Sequence, residues 1–437
     1  MTNVEFVEIL LSDFYAFVVI LVINLGVLYV LLRRLIHHVL DPYCMMYIMA
    51  ACANSVPFFL FYEGLITTEK LLYFLISELM FWSGFLIFKG EYRIQFDSRG
   101  RNYQSDDLFH LFVFLFLLVL VIKSYCYYVA GIPLFSESRF SIRQNALTAM
   151  LLRTVKLPEM FVILYSYHIL LSHKEELLRK IIVSIFFFVI FCYSFLSGSK
   201  GFILSYVNLF FGYMFFYRKT KFRITEKGDL TILRKKLNIP LKFFIPIVLS
   251  PLPIIAIYYG SSGLNGAGLL LYRFVASGDG YWQGLVHDVI DNIDNTAYWY
   301  ERLFSFVLGP LGLISQNAKI PIGTLILNQI NPGTIGLLEG ANSRIPIFTW
   351  VCFGWLGIVG SFLLGMVARL LAYGKLLSAP HDIVGLTVLF SLYSLSASMV
   401  TDPTMFGAGL IDIIFGVIIF NLYSVILCGN RGLILFK

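Results

Sequence analysis

The run 181-IIVSIFFFVIFCYSFLSGSKGFILSYVNLFFGYMFFY-217 decides the fold. Apart from Lys200 it carries no charged side chain. It is too long for one bilayer crossing, which needs about 20 apolar residues. The natural break is 197-SGSKG-201, where Gly198 and Gly201 can take turn conformations. The stretch therefore reads as two membrane helices joined by a tight hairpin.

The rest of the chain has the same character. Of 437 residues, 58% are hydrophobic and only 14% charged, and the mean hydropathy is +0.80. A soluble domain carries roughly 25% charged residues. No second composition class appears, so residues 1–437 read as a single transmembrane domain. Aromatic residues make up 17%, which suits lipid contact and interfacial belts. Eleven segments are apolar enough to span: 14–32, 43–62, 71–88, 108–129, 158–172, 181–196, 200–217, 241–259, 347–371, 383–400 and 407–428. The expected fold class is an all-α polytopic membrane protein. The N-terminus is acidic (Glu5, Glu8, Asp13) and lacks the basic region of a signal peptide, so the first apolar run is expected as a retained helix. The six cysteines lie in or beside apolar runs without C-x-x-C spacing, which speaks against a disulfide framework or a zinc site.

Lysine and arginine placement sets the orientation. Segment 218-RKTKFRITEKGDLTILRKKLNIPLK-242 carries nine basic residues against two acidic. Placing this loop (218–240) in the cytoplasm puts 22 of the 33 basic residues inside, the N-terminus outside and the C-terminus inside. Two outer connections are long, 130–157 and 260–346. No internal repeat is evident, so the inverted-repeat logic of transporters finds no support.

Nine outer cations fall at three places. Arg139, Arg143, Arg153 and Lys156 are in the first loop, Lys200 is in the hairpin, and Arg273, Arg302, Lys319 and Arg344 are in the second loop. They oppose the orientation signal, and an anionic ligand on the outer face would explain them, because arginine binds phosphate bidentately. The plainer reading is headgroup contact and local ion pairs. Residues 138–157 suit an amphipathic interfacial helix ending at Pro158, with Arg139 and Arg143 on one face. Within the apolar segments Glu78, Lys123, Glu159 and Asp412 are expected toward the outer halves, with Asp402 just beyond one. Charges there usually mark a cavity or pathway. Glu78 and Lys123 are equally a simple pair between helices.

The second loop contains 272-YRFVASGDGYWQGLVHDVIDNIDN-295, a polar stretch in an apolar chain. Gly278-Asp279-Gly280 is a turn that presents a carboxylate. His287 is the one outer histidine in this topology. Asp288, Asp291 and Asp294 follow at intervals of three and would need a folded loop to converge on a cation. Segment 295-NTAYWYERLFSFVLG-309 reads as one helix, with Tyr298 and Arg302 on one face. Trp282, Trp299 and the tyrosines are residue types that stack on sugar rings and equally those of any membrane interface. No metal constellation, P-loop, nucleophile elbow or kinase set is present. No cofactor and no nucleic-acid partner are expected. The outer cations, acids and aromatics suit a substrate with a lipid tail, a pyrophosphate and a polar head. Arginine would stabilise the leaving charge, and a carboxylate or histidine would take a proton.

The layout resembles the Wzy-type O-antigen or oligosaccharide repeat-unit polymerases. The matching features are 131-GIPLF-135 followed by Arg139, the hairpin 196-LSGSKG-201, the run from Arg273 to Ser277-Gly278-Asp279, and the Gly-rich helix 353-FGWLGIVGSFLLG-365. The resemblance implies a metal-independent glycosyltransferase of GT-C type in the bacterial inner membrane. It would pass a growing glycan from undecaprenyl pyrophosphate to another lipid-linked repeat unit. Arg139, Arg143, Lys200 and Arg273 would hold pyrophosphate, with Arg273 central to catalysis. Arg302, Glu339 and Arg344 would line the cleft. His287 or Asp279 would act as base, with Glu339 behind them. Partners would be the undecaprenyl-pyrophosphate-linked oligosaccharide, membrane lipid and a chain-length regulator protein. The rivals are an O-antigen ligase and a lipid-linked oligosaccharide flippase.

Overall fold

The computed structural model describes residues 1–33, 36, 40–87, 105–135, 146–172, 176–199, 202–218, 272, 275–293, 296–309, 311–315, 318–334, 340–373 and 383–428. Helices dominate, and no strand occurs among the described residues. The first half comprises α1 (Asn3–Ser12), α2 (Phe14–Leu32), α3 (Pro42–Tyr62), α4 (Thr68–Ile87), α5 (Ser105–Ala130), α6 (Ala146–Thr154), α7 (Lys156–Leu170), α8 (Leu177–Leu196) and α9 (Phe202–Gly212). Then come the short α10 (Asp279–Gly284), α11 (Trp299–Leu303), α12 (Ser305–Leu308) and α13 (Ile322–Ile330). The last four are α14 (Ile345–Phe353), α15 (Gly357–Tyr373), α16 (Ile383–Met399) and α17 (Pro403–Cys428).

Among the described residues, seven stretches are long and apolar enough by length and composition to cross a membrane: Phe14–Leu32, Pro42–Tyr62, Thr68–Ile87, Asp106–Phe135, Leu177–Leu196, Ile345–Ala372, which turns at Gly354, and Pro403–Val425. The chain is a multi-pass α-helical membrane protein. Three further expected spans coincide with shorter helices: α7 with 15 residues, α9 with 11 and α16 with 17. Segment 241–259 lies outside the described residues, as does the basic loop 219–240.

Two expected helices are broken. The span expected at 347–371, with its Gly-rich stretch, is a helical hairpin. The chain reverses at Gly354 (φ 55°), so that Thr349 Oγ1 lies 3.1 Å from Ser361 Oγ. Twelve residues of straight helix would hold them about 18 Å apart. Segment 295–309 divides into α11 and α12 at Phe304. In the first outer loop α6 ends at Thr154, and Pro158 sits in the first turn of α7, where a missing N–H costs nothing.

Close backbone approach fixes the rest. α15 runs parallel to α4, with Gly84 against the Phe362 carbonyl and Gly365 against that of Phe81. Ser77 and Ser361 hydrogen-bond between them at 2.7 Å. α3 and α4 run antiparallel, joined by Asn54–Glu78 and by the Phe58–Phe74 rings. Gly198 turns the expected hairpin with φ 63°.

Candidate functional site

The large loop folds onto α3 and α4. Tyr272 and Trp282 both meet α1, where Asn3 bonds the Tyr272 hydroxyl (3.2 Å) and Trp282 Nε1 (3.1 Å), and Phe6 stacks on Trp282 at 4.2 Å. Between them the chain dips. Ser277 Oγ donates to the Met49 carbonyl, and Gly278 packs on Ala53 so closely that a Cβ would sit 2.9 Å from its Cα. The tip of this dip, Ser277–Gly280, therefore lies at the middle of α3. The tip is a short 3-10 turn, Ala276–Gly278, leading into α10, and a broken helix at such depth is tolerated where protein surrounds it.

A second dip meets the first. Asn342, Ser343 and Arg344 bind three different elements in succession. Asn342 donates to Asp279 Oδ1 from its backbone N (2.7 Å) and from Nδ2 (2.9 Å). Ser343 Oγ donates to Asp402 Oδ1 (2.8 Å), and Arg344 Nη2 to Asn54 Oδ1 (3.1 Å). Asn54 Nδ2 in turn donates to Glu78 Oε2 (3.1 Å), which Trp82 Nε1 also bonds (3.1 Å). Asn54 thus bridges a guanidinium and a carboxylate at the midpoint of the α3–α4 pair.

Arg344 is completely buried, yet its Nε and Nη1 have no hydrogen-bond partner among the described residues. The buried Tyr281 hydroxyl lies beside the Arg344 guanidinium and interacts with it. A buried charge with free donors is costly. Glu78 and the Tyr281 hydroxyl are the groups that face this charge. A cavity of about 10 Å³, room for about one water, lies between Tyr281, Ile347, Lys70 and Trp350.

Asp279 accepts all its bonds at Oδ1, the third from the Gly280 N–H (2.9 Å). No described residue donates to Oδ2. Burial pushes its carboxyl up to about 6, against the Asn342 and Gly280 donors that favour the charged form. Burial raises Asp402 as well, against Thr404 and Ser343. One anchored oxygen, one open oxygen and a raised pKa suit a proton acceptor.

The other expected residues divide. His287 is exposed, and both it (φ 59°) and Asp288 (φ 56°) hold the left-handed backbone that side chains seldom adopt. Lys70 pins this bend, taking the Leu285 carbonyl (3.3 Å), Asp288 and Asp291 (3.1 Å). His287 shares no described partner with Asp279 or Arg344. Arg302 is buried on α11, away from exposed Tyr298, and α11 packs its Leu303 carbonyl against Gly407 of α17. Arg139, Arg143, Lys200, Arg273 and Glu339 lie outside the described residues, as does Asp294. Glu78 and Lys123 do not pair. Lys123 takes Glu159 at 2.5 Å, because α5 packs on α7, whereas Glu78 faces α3. Arg153 and Lys156 share Asp412, at 3.2 and 2.7 Å.

Sequence reasoning missed Asn54 and Asn342. The signal for Asn54 was present, since an amide within an apolar helix rarely lacks a partner. Asn342 had none, because its role depends on which segments dip.

Comparison with protein-family models, curated proteins and solved structures returned no match for this chain.

Proposed function

We propose that this protein polymerises lipid-linked oligosaccharide units by glycosyl transfer at the outer face of the bacterial inner membrane, releasing undecaprenyl pyrophosphate. The observation that carries the reading is the meeting of the two dips, which brings open Asp279 Oδ2 and the buried Arg344 guanidinium onto neighbouring stretches of backbone. In the proposed step the acceptor sugar hydroxyl attacks the anomeric carbon of the donor. The bond from that carbon to the pyrophosphate oxygen breaks, and the electron pair leaves with undecaprenyl pyrophosphate. The hydroxyl proton passes to Asp279 Oδ2, and Arg344 offsets the charge on the leaving group. Arg273, Arg139, Arg143 and Lys200 would extend the pyrophosphate site, with Glu339 and Arg302 along the glycan. His287, exposed on its own bend, ranks behind Asp279 as base.

A second reading, a lipid-linked oligosaccharide transporter, draws on the Glu78–Asn54–Arg344 chain, which sits at mid-helix rather than in the outer half. Purified protein in vesicles with the cognate lipid-linked unit separates the two. Release of undecaprenyl pyrophosphate in step with glycan loss supports the transferase. Movement of intact substrate between leaflets without release overturns it.

A further inference from the structure

The described residues within 296–309, 311–315 and 318–320 form a small lobe with an unusual surface. Ala297, Ile314 and Ala318 make its own core with Leu308. Glu301 ties it together, accepting from the Ser315 backbone N (2.9 Å), Ser315 Oγ (3.0 Å) and the Tyr298 N–H (3.1 Å). Those donors, the Ser315 N–H foremost, hold its carboxyl below the usual range. Two of its charges turn inward, Glu301 and Arg302 being buried, while Lys319 is half-buried. Six large apolar or aromatic side chains turn outward. Tyr298 (65%), Trp299, Tyr300, Leu311, Leu313 (68%) and Ile320 are all exposed. A water-facing lobe would show the reverse.

Its attachment says what covers it. α11 and α12 pack on the first half of α17, with Leu303 against Gly407. The Phe306 carbonyl accepts from Arg153, which also binds Asp412. Pro403–Val425 of α17 is a candidate span of 23 residues, about 34 Å of helix and close to a whole bilayer. A lobe fixed to its N-terminal ten residues lies at the level of the headgroups and upper acyl chains. Met405 and Ile414 are exposed on α17 as well. Two tyrosines, a tryptophan and aliphatic side chains are the composition of that boundary.

We propose that the lobe is a membrane-seated foot, with Trp299, Tyr300, Leu311 and Leu313 entering the headgroup–acyl boundary beside the N-terminal end of α17. It binds the lipid surface itself, independently of the proposed reaction. The test is tryptophan quenching in phosphatidylcholine–phosphatidylglycerol vesicles containing lipids brominated at defined depths. Wild type is compared with Trp299→Phe, and the difference gives the emission of Trp299. The foot predicts strong quenching by bromines near the headgroup end of the chain, less by deeper ones, and little by aqueous iodide. Adding Leu313→Trp to Trp299→Phe should restore the same pattern from a second point. Emission quenched by iodide and by no brominated lipid overturns the proposal. Iodide quenching relieved by soluble oligosaccharide would make the lobe a sugar platform, which overturns it equally.

Discussion

At the residue scale the account rests on Arg344 and Asp279. Arg344 is tied through Asn54 to Glu78, and removing one member of such a buried set leaves the other uncompensated. Arg344→Met should therefore lower thermal stability in detergent, by about 3–5 kcal/mol, and the protein that stays folded should lose glycan transfer. A purely structural arginine would leave transfer intact in the folded variant. Asp279 makes a paired prediction. Its folded pKa is raised to about 6, so the folded state holds the proton more tightly than the unfolded chain. Stability then falls as pH rises from about 4 through about 6, and Asp279→Asn removes that loss. Activity runs the other way, because a base must be ionised. Transfer should climb with pH through about 6, and Asp279→Asn should lower it about 10²- to 10⁴-fold. Thermal melts and rates across pH 4–8 check both signs. Both residues were legible as types in the sequence, a carboxylate between glycines and a cation on the wrong side. Their partners were not, because Asn54 and Asn342 are 288 positions apart in a chain whose dips give no compositional signal.

At the element scale the two dips depend on backbone contact. A Cβ on Gly280 would lie 2.1 Å from the Asn342 carbonyl oxygen, and one on Gly323 would lie 1.7 Å from that of Ala341. Asp279 begins α10 rather than standing in the expected turn, and Gly280→Val should push that first turn of helix away from Asn342 and cost about 1–3 kcal/mol by overpacking. Gly26→Ala, where nothing lies within 4 Å, should be near neutral in the same melts. Equal effects from the two would remove the claim that backbone contact holds the site. The same close contacts explain the misread elements. Hydropathy reports whether a segment is apolar, not whether it goes straight, and 345–373 is apolar on both arms of a hairpin. The Gly354 backbone and the Thr349–Ser361 contact disclose the turn. In 295–309 the apolar spacing is helical throughout, but α11 and α12 must both bend onto α17, and Phe304 is where they part.

At the scale of the whole molecule the all-helical, multi-pass character was the most legible feature, because bilayer thickness imposes it on composition. The depth of Glu78 was less so, since a span's ends set depth and α4 begins at Thr68 rather than at 71. Asp288 and Asp291 are engaged by Lys70, so transfer should survive EDTA. Loss restored by Mg²⁺ would return those aspartates to a metal site. The most direct test of the central claim is a reconstitution. Wild-type protein and Arg344→Met are placed in matched vesicles with the cognate undecaprenyl-pyrophosphate repeat unit, and the glycans are run on a gel. The account predicts a ladder rising by one repeat unit for wild type and unreacted single units for the folded variant. No ladder from wild type, or the same ladder from both, would contradict it.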